Sequence, residues 1–123
     1  MSIRVVQFYL TLRNAIKVYH WNTRSYPRHK ATDDLVASID KLTDSFVEVY
    51  IGKYGRDKAL SDNMTLDLPG LDEQEVIKFL KEAIEWLTHR LPKILKPADT
   101  DLFNIRDELL AAVNQALYLF TLS

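Results

Sequence analysis

From Lys30 to Tyr54 the chain carries two helical faces at once, and this restricts what it can pack against. Leu35, Ile39, Leu42, Phe46 and Val49 recur at intervals of 4, 3, 4 and 3, the spacing of a stripe that a helix buries. At about 100° per residue, the opposite face carries His29, Asp33, Asp40, Asp44 and Glu48. Val36, Val47 and Ile51 lie among those acids, while Asp34, Lys41 and Ser45 hold a narrow polar flank. A helix apolar on two sides meets a second partner. The outer face is therefore expected to form a subunit interface, with its acids binding metal there.

The other segments also read as helices. Residues 2–21 place Val5, Tyr9, Leu12, Ile16 and Tyr19 on one stripe, with His20 at its edge. Asn22–Arg28 reads as a break, and Pro27 fits only the first turn of the helix that follows. Gly55 is a stop, Arg56–Gly70 is loop, and Asp57–Leu60 has room for one short turn. Asp72 and Glu75 form a capping-box pattern, with Leu71 and Val76 as its staple. The third helix buries Val76, Leu80, Ala83, Ile84 and Leu87, reaches Arg90 and is closed by Pro92. After a linker around Pro97, Asp99 or Thr100 starts a fourth helix striped by Leu102, Ile105, Leu109, Ala112, Val113, Ala116 and Phe120. The fold class is all-α, a single domain over residues 1–123. Four helices with a long second-to-third connection suggest the ferritin-like four-helix bundle with one crossover; an up-down-up-down bundle with a loose loop has the same periodicity.

Bulk properties narrow the function. A chain of 123 residues has room for one modest core, and a net charge of −1 gives no general attraction to nucleic acid or anionic membrane. The absence of cysteine removes disulfides and thiolate metal sites. No apolar run has the ~20 residues a membrane span needs, and no signal peptide is visible, so a cytoplasmic protein is expected. No Ser/His/Asp or Cys/His set and no Gly-rich phosphate loop appears, which argues against hydrolases and nucleotide enzymes.

His29 and Asp33 are one turn apart, as are Asp44 and Glu48, so each pair can share a ligand. Roughly 22 Å of helix separates His29 from Asp44 at 1.5 Å per residue. One chain cannot bring both pairs to one ion, but a second copy crossing antiparallel can. Positions 29 and 48, and 33 and 44, share a midpoint just past the two small residues Ala37 and Ser38. A two-fold axis there sets His29 and Asp33 of one subunit against Asp44 and Glu48 of the other, twice, as an isologous dimer requires. Imidazole and carboxylate ligands suit iron or manganese, and zinc also binds them. Acids on a helix face are ordinarily solvated, and so short a symmetry also arises by chance.

At these residues the chain resembles the Dps mini-ferritins, the DNA-binding proteins from starved cells. His20-Trp21 resembles the His-Trp pair at the end of that family's first helix, and the series 29–33–44–48 matches its second-helix ligands in type and interval. Gly52 and Gly55 follow as glycines do there, and Asp99–Leu122 is similar to the last helix more weakly. The likeness is strongest over residues 15–55. It implies a ferroxidase site between two-fold-related subunits, with Asp44 and Glu48 as carboxylate ligands and His20, His29 and Asp33 completing the site from the partner. It also implies iron oxidation by oxygen or peroxide in protection against oxidative stress. The two histidines are closer in sequence than in that family, and the connection is too short for the family's extra helix. No Lys-rich tail precedes the first helix, so duplex DNA binding is not expected.

Other residues have plainer readings. Glu85 and His89 form a one-turn pair on a solvated surface, and Arg4, Arg13 and Lys17 give the first helix a basic edge. Trp21 is either a bundle-end aromatic or a neighbour of the metal. The leading reading is a homodimeric or larger ferroxidase-type protein acting on Fe²⁺. The second is a non-enzymatic helical structural or interaction protein whose acids serve dimer specificity or solubility.

Overall fold

Only Thr23, Arg24 and Ser25 separate the first two helices in the computed structural model, which describes residues 2–123. Helix α1 spans Ser2–Asn22 and α2 spans Tyr26–Tyr54. The Ser25 side chain accepts the Arg28 N–H as N-cap, and Pro27 occupies the first turn, where its missing donor costs nothing. The second helix thus begins four residues before Lys30, because this cap makes the presumed break helical. Gly55, at φ 84°, ends it.

A 3-10 turn follows at Lys58–Ser61, capped by Asp57. The capping box forms as read: the Asp72 carboxylate accepts the Gln74 and Glu75 N–H groups, and the Glu75 carboxylate accepts the Asp72 N–H. Helix α3, Glu75–Glu85, runs into a π-helical turn at Trp86–Arg90 and a further helical turn, α4, at Leu91–Ile94. Helix α5 spans Thr100–Phe120. No strand occurs among the described residues, so the fold is all-α.

The core is shared by one stripe from each helix. Tyr9, Ile16, Leu35, Ile39, Phe46, Leu80, Leu87, Leu109 and Val113 are all buried. Helix α2 packs on α1 and α5, while α3 packs on α5 and α1. At one end the Tyr19 hydroxyl, the Arg28 guanidinium and Glu73 meet, and Arg28 also lies over the Phe120 ring. At the other end Lys53 and Tyr54, closing α2, meet Asp99 and Asp101 at the start of α5. Residues 55–74 therefore connect opposite ends of the helices, and α2 and α3 run the same way.

The acid face of α2 needs less from a partner than its sequence implied. Val36 is buried in the chain's own core, and Val47 and Ile51 are half-buried beside Val6 and Leu60. The 3-10 turn of the connection covers this lower outer face, which sequence periodicity cannot reveal. Asp40 is paired with Arg13 at 3.0 Å. That half-exposed pair is worth about 1 kcal/mol at most and orients the helices rather than holding them.

Pro92 does not close the third helix. A helical proline lacks its N–H and crowds the carbonyl four residues back. Here the Leu91 N–H bonds to the Trp86 carbonyl, one residue further back than in an α-helix, which widens the turn and accommodates the ring. The Leu87 carbonyl then has no helical donor, since the residue five ahead is Pro92. Arg106 of α5 donates to it at 2.9 Å. The sequence signal was the unbroken interval of four in Leu87, Leu91 and Leu95, all buried, which drifts off the face of a regular helix.

Two measurements check these contacts. Arg106→Met keeps the side-chain stem but orphans the Leu87 carbonyl, and should destabilise the fold by about 1–3 kcal/mol. Adding Pro92→Ala restores a helical donor and should recover part of that loss; denaturation showing simple additivity would refute the link. Asp99 is held down to about 2 by hydrogen bonds from Lys53, Tyr54 and the Lys96 N–H. Its folded value lies below the ordinary one, so its contribution is full above about pH 4 and fades as the pH falls towards 2. The melting-temperature gap between parent and Asp99→Asn should narrow across that window.

Candidate functional site

The short turn between α1 and α2 brings together two of the histidines singled out from the sequence. Their rings stack with centroids 3.9 Å apart and planes 17° from parallel. His20 is buried, whereas His29 is half-buried and Asp33, one turn on, is exposed. His20 Nε2 lies 4.0 Å from Asp33 Oδ1. The tight turn lays the end of α1 against the first turns of α2, which brings His20 to the one-turn pair His29 and Asp33 read from the spacing.

Hydrogen bonds indicate the tautomer of each ring. His29 Nδ1 lies 3.0 Å from the His20 carbonyl oxygen, which can only accept, so Nδ1 carries the proton. His20 Nδ1 lies 2.9 Å from Thr32 Oγ1. The Thr32 hydroxyl proton is directed to the Arg28 carbonyl at 2.8 Å, with the His29 carbonyl at 3.2 Å. Thr32 must then accept from His20, whose Nδ1 also carries its proton. Both rings, when neutral, keep an Nε2 lone pair. Burial first, and then the neighbouring His29, lower the pKa of His20 and favour its neutral form.

Thr32 was not picked out from the sequence, yet its signal was there. It extends the core stripe Leu35–Ile39 back by one interval, and it is fully buried. A hydroxyl on a buried stripe needs a partner, and here the partners are the histidine junction and the helix backbone.

Asp44 and Glu48 lie further along α2, both exposed, and are not brought to the histidines within one chain. The helical path from Asp33 to Asp44 alone is about 16 Å. Ala37, close to that midpoint, is exposed, while Ser38 is half-buried towards α5. Among the described residues, no three His, Asp or Glu side chains of one chain are arranged to hold a metal ion. Trp21 is 68% exposed with Lys17 over its ring, so it is not a packed bundle-end aromatic. Glu85 and His89 form an exposed pair at 3.4 Å.

The tautomer assignment has a direct check. In long-range proton–nitrogen spectra, His20 should appear in the Nδ1–H form. Thr32→Val removes the acceptor while keeping the shape, and should mix the tautomers at a cost of about 1 kcal/mol. Thr32→Ser should restore the parent spectrum. A His20 signal indifferent to all three side chains would show that Thr32 does not set it.

No solved structure matches the chain. One similar protein is the uncharacterized 14.6 kDa protein in the mobD-ri intergenic region of Enterobacteria phage T4, 42% identical over 52 residues. That match covers 39% of this chain, and the chain spans only 41% of the length of that relative. A family model described as DUF5856, a family of unknown function, matches residues 20–120, from the first histidine of the junction to the end of α5. The chain belongs to that family.

Proposed function

We propose that this chain is a ferritin-like protein that binds Fe²⁺ and oxidises it at carboxylate–histidine sites shared by two copies. The observation that carries the reading is the histidine junction. Histidines that ligate metals donate their other ring N–H to a fixed acceptor, and His20 and His29 both donate theirs in this way, leaving two Nε2 lone pairs, that of His20 4.0 Å from Asp33. The path of residues 55–74 also supports it, since one long crossover between parallel second and third helices is the ferritin-like connection. Asp44 and Glu48, exposed on the same helix, supply the carboxylates of the second half-site when α2 meets its copy near Ala37 and Ser38.

The chemistry asked of these residues is modest. Each Fe²⁺ gives up one electron, so two reduce one hydrogen peroxide to two waters with uptake of two protons; dioxygen is the other candidate oxidant. Anionic oxygen ligands stabilise the product Fe³⁺ more than the substrate Fe²⁺, because the interaction grows with ionic charge. Neutral imidazoles hold the ion without adding like charge. Manganese and zinc suit the same ligand types. In the competing reading the chain is a helical structural or interaction protein that keeps the scaffold and has lost the metal.

Subunit mixing tests the shared site. His29→Ala and Asp44→Ala should each be inactive in Fe²⁺ oxidation, yet their heterodimer holds one site lacking both ligands and one intact. Activity should return on mixing, and no return after verified subunit exchange counts against sharing. Fe²⁺ or Zn²⁺ at about 100 times its dissociation constant should stabilise the parent by about 2.7 kcal/mol, and Asp44→Ala and Glu48→Ala much less. Ala37→Arg should separate the subunits with the fold intact. A parent chain that binds no metal leaves the structural reading.

A further inference from the structure

We propose that the groove between α1 and the third helical arm is a binding site for a small aromatic anion. The groove has a volume of about 720 Å³, within the range of small-molecule sites. It exists because α1 and α3 meet less extensively than α1 and α2 do, leaving a seam along the bundle. Phe8, Phe79 and Trp86 line it, each half-buried, and the rings of Phe8 and Trp86 stack across the seam at 3.9 Å and 8°. Arg4, Arg90 and Lys93 stand at its edges, all exposed. None of these three cations is in an ion pair among the described residues. The acid in the lining, Glu82, already faces Lys78 at 3.9 Å.

The occupant follows from shape and charge. The groove is open, so an acyl chain would keep most of its surface in water, whereas a flat ring can lay one face on the aromatic lining. The unpaired cations then select a ring bearing a carboxylate, sulfonate or phosphate, with Arg4 and Arg90 able to grip two of its oxygens. The π-helical turn contributes to this geometry. Its wider winding keeps Trp86, Arg90 and Ile94 on the groove side although they are spaced by four throughout. The site is independent of the histidine junction, which lies at the far end of α1, and does not rest on the proposed iron chemistry.

Two dyes test it. Anilinonaphthalene sulfonate and phenylnaphthylamine share a ring system and differ in the anionic group. With Trp21→Phe in place, Trp86 is the sole tryptophan, and bound dye should take energy from it. The sulfonate should bind one per chain and about tenfold more tightly than the uncharged dye, a difference of about 1.4 kcal/mol. Arg90→Gln with Lys93→Gln should remove about that tenfold advantage and leave the uncharged dye unaffected. Thr11→Phe, at a half-exposed lining position, should exclude both dyes. Equal affinity for the two dyes, sulfonate binding indifferent to the charge substitutions, or binding that survives Thr11→Phe would each overturn the proposal.

Discussion

The turn at Thr23–Ser25 is the constraint on which the arrangement depends. Three residues hold the two helix ends together, and the pairs His20–Thr32, Arg13–Asp40 and Val6–Val47 follow one another along α1 and α2 in opposite order, so the helices lie antiparallel with their stripes facing the same interior. The Ser25 cap and Pro27 set where α2 begins, and with it the phase of every residue that follows. That phase turns Arg28 and Thr32 inward, places His29 over His20 and leaves Asp33, Asp44 and Glu48 outside. Arg28 extends the constraint to the rest of the chain, since its one guanidinium meets Tyr19, Glu73, Ser123 and the Phe120 ring. A half-exposed ion pair such as Arg13–Asp40 adds little to this; an almost buried cation with four partners on three segments is far harder to replace.

The third helical arm meets its constraint differently. Pro92 withholds a backbone donor inside the helix, and the widened turn before it avoids the ring clash without satisfying Leu87. The missing hydrogen bond is supplied from α5 by Arg106, whose guanidinium lies over the Phe103 ring. A local irregularity is thereby coupled to tertiary packing. The same irregularity keeps Leu91 and Leu95 in the core and Arg90 beside the seam, so one proline shapes both the interior and the outer groove of this arm.

Much of the fold was legible in the sequence because helix periodicity is a local property. The stripes of α1, α3 and α5, the Asp72–Glu75 box and the stop at Gly55 all follow from neighbours within a turn or two. What was illegible depended on contacts from elsewhere. Val36, Val47 and Ile51 looked like a second apolar face because nothing local says that α1 and Leu60 reach them. Pro92 looked like a terminus because the rescuing donor is Arg106, far along the chain. At the candidate site, His20, His29 and Asp33 were recognisable by type and spacing, but the stacking of the two rings and the approach of Asp33 to His20 depend on the turn between the helices. Thr32 was passed over although its burial was implied by the stripe.

The run of residues 55–74 from one end of the molecule to the other has a further consequence. Between Asp62 and Gly70 nearly every residue is exposed, with only Met64 and Leu66 half-buried. The backbone there is available to proteases in a way the helices are not. Severing it would divide the chain into two helical hairpins, α1–α2 and α3–α5, each already closed by a short turn. What joins them is the buried interface of α2 with α5 and the Arg28 and Asp99 clusters at either end. The molecule is thus two halves that recognise each other side by side, tethered by a strand of peptide that raises their local concentration more than it shapes their contact.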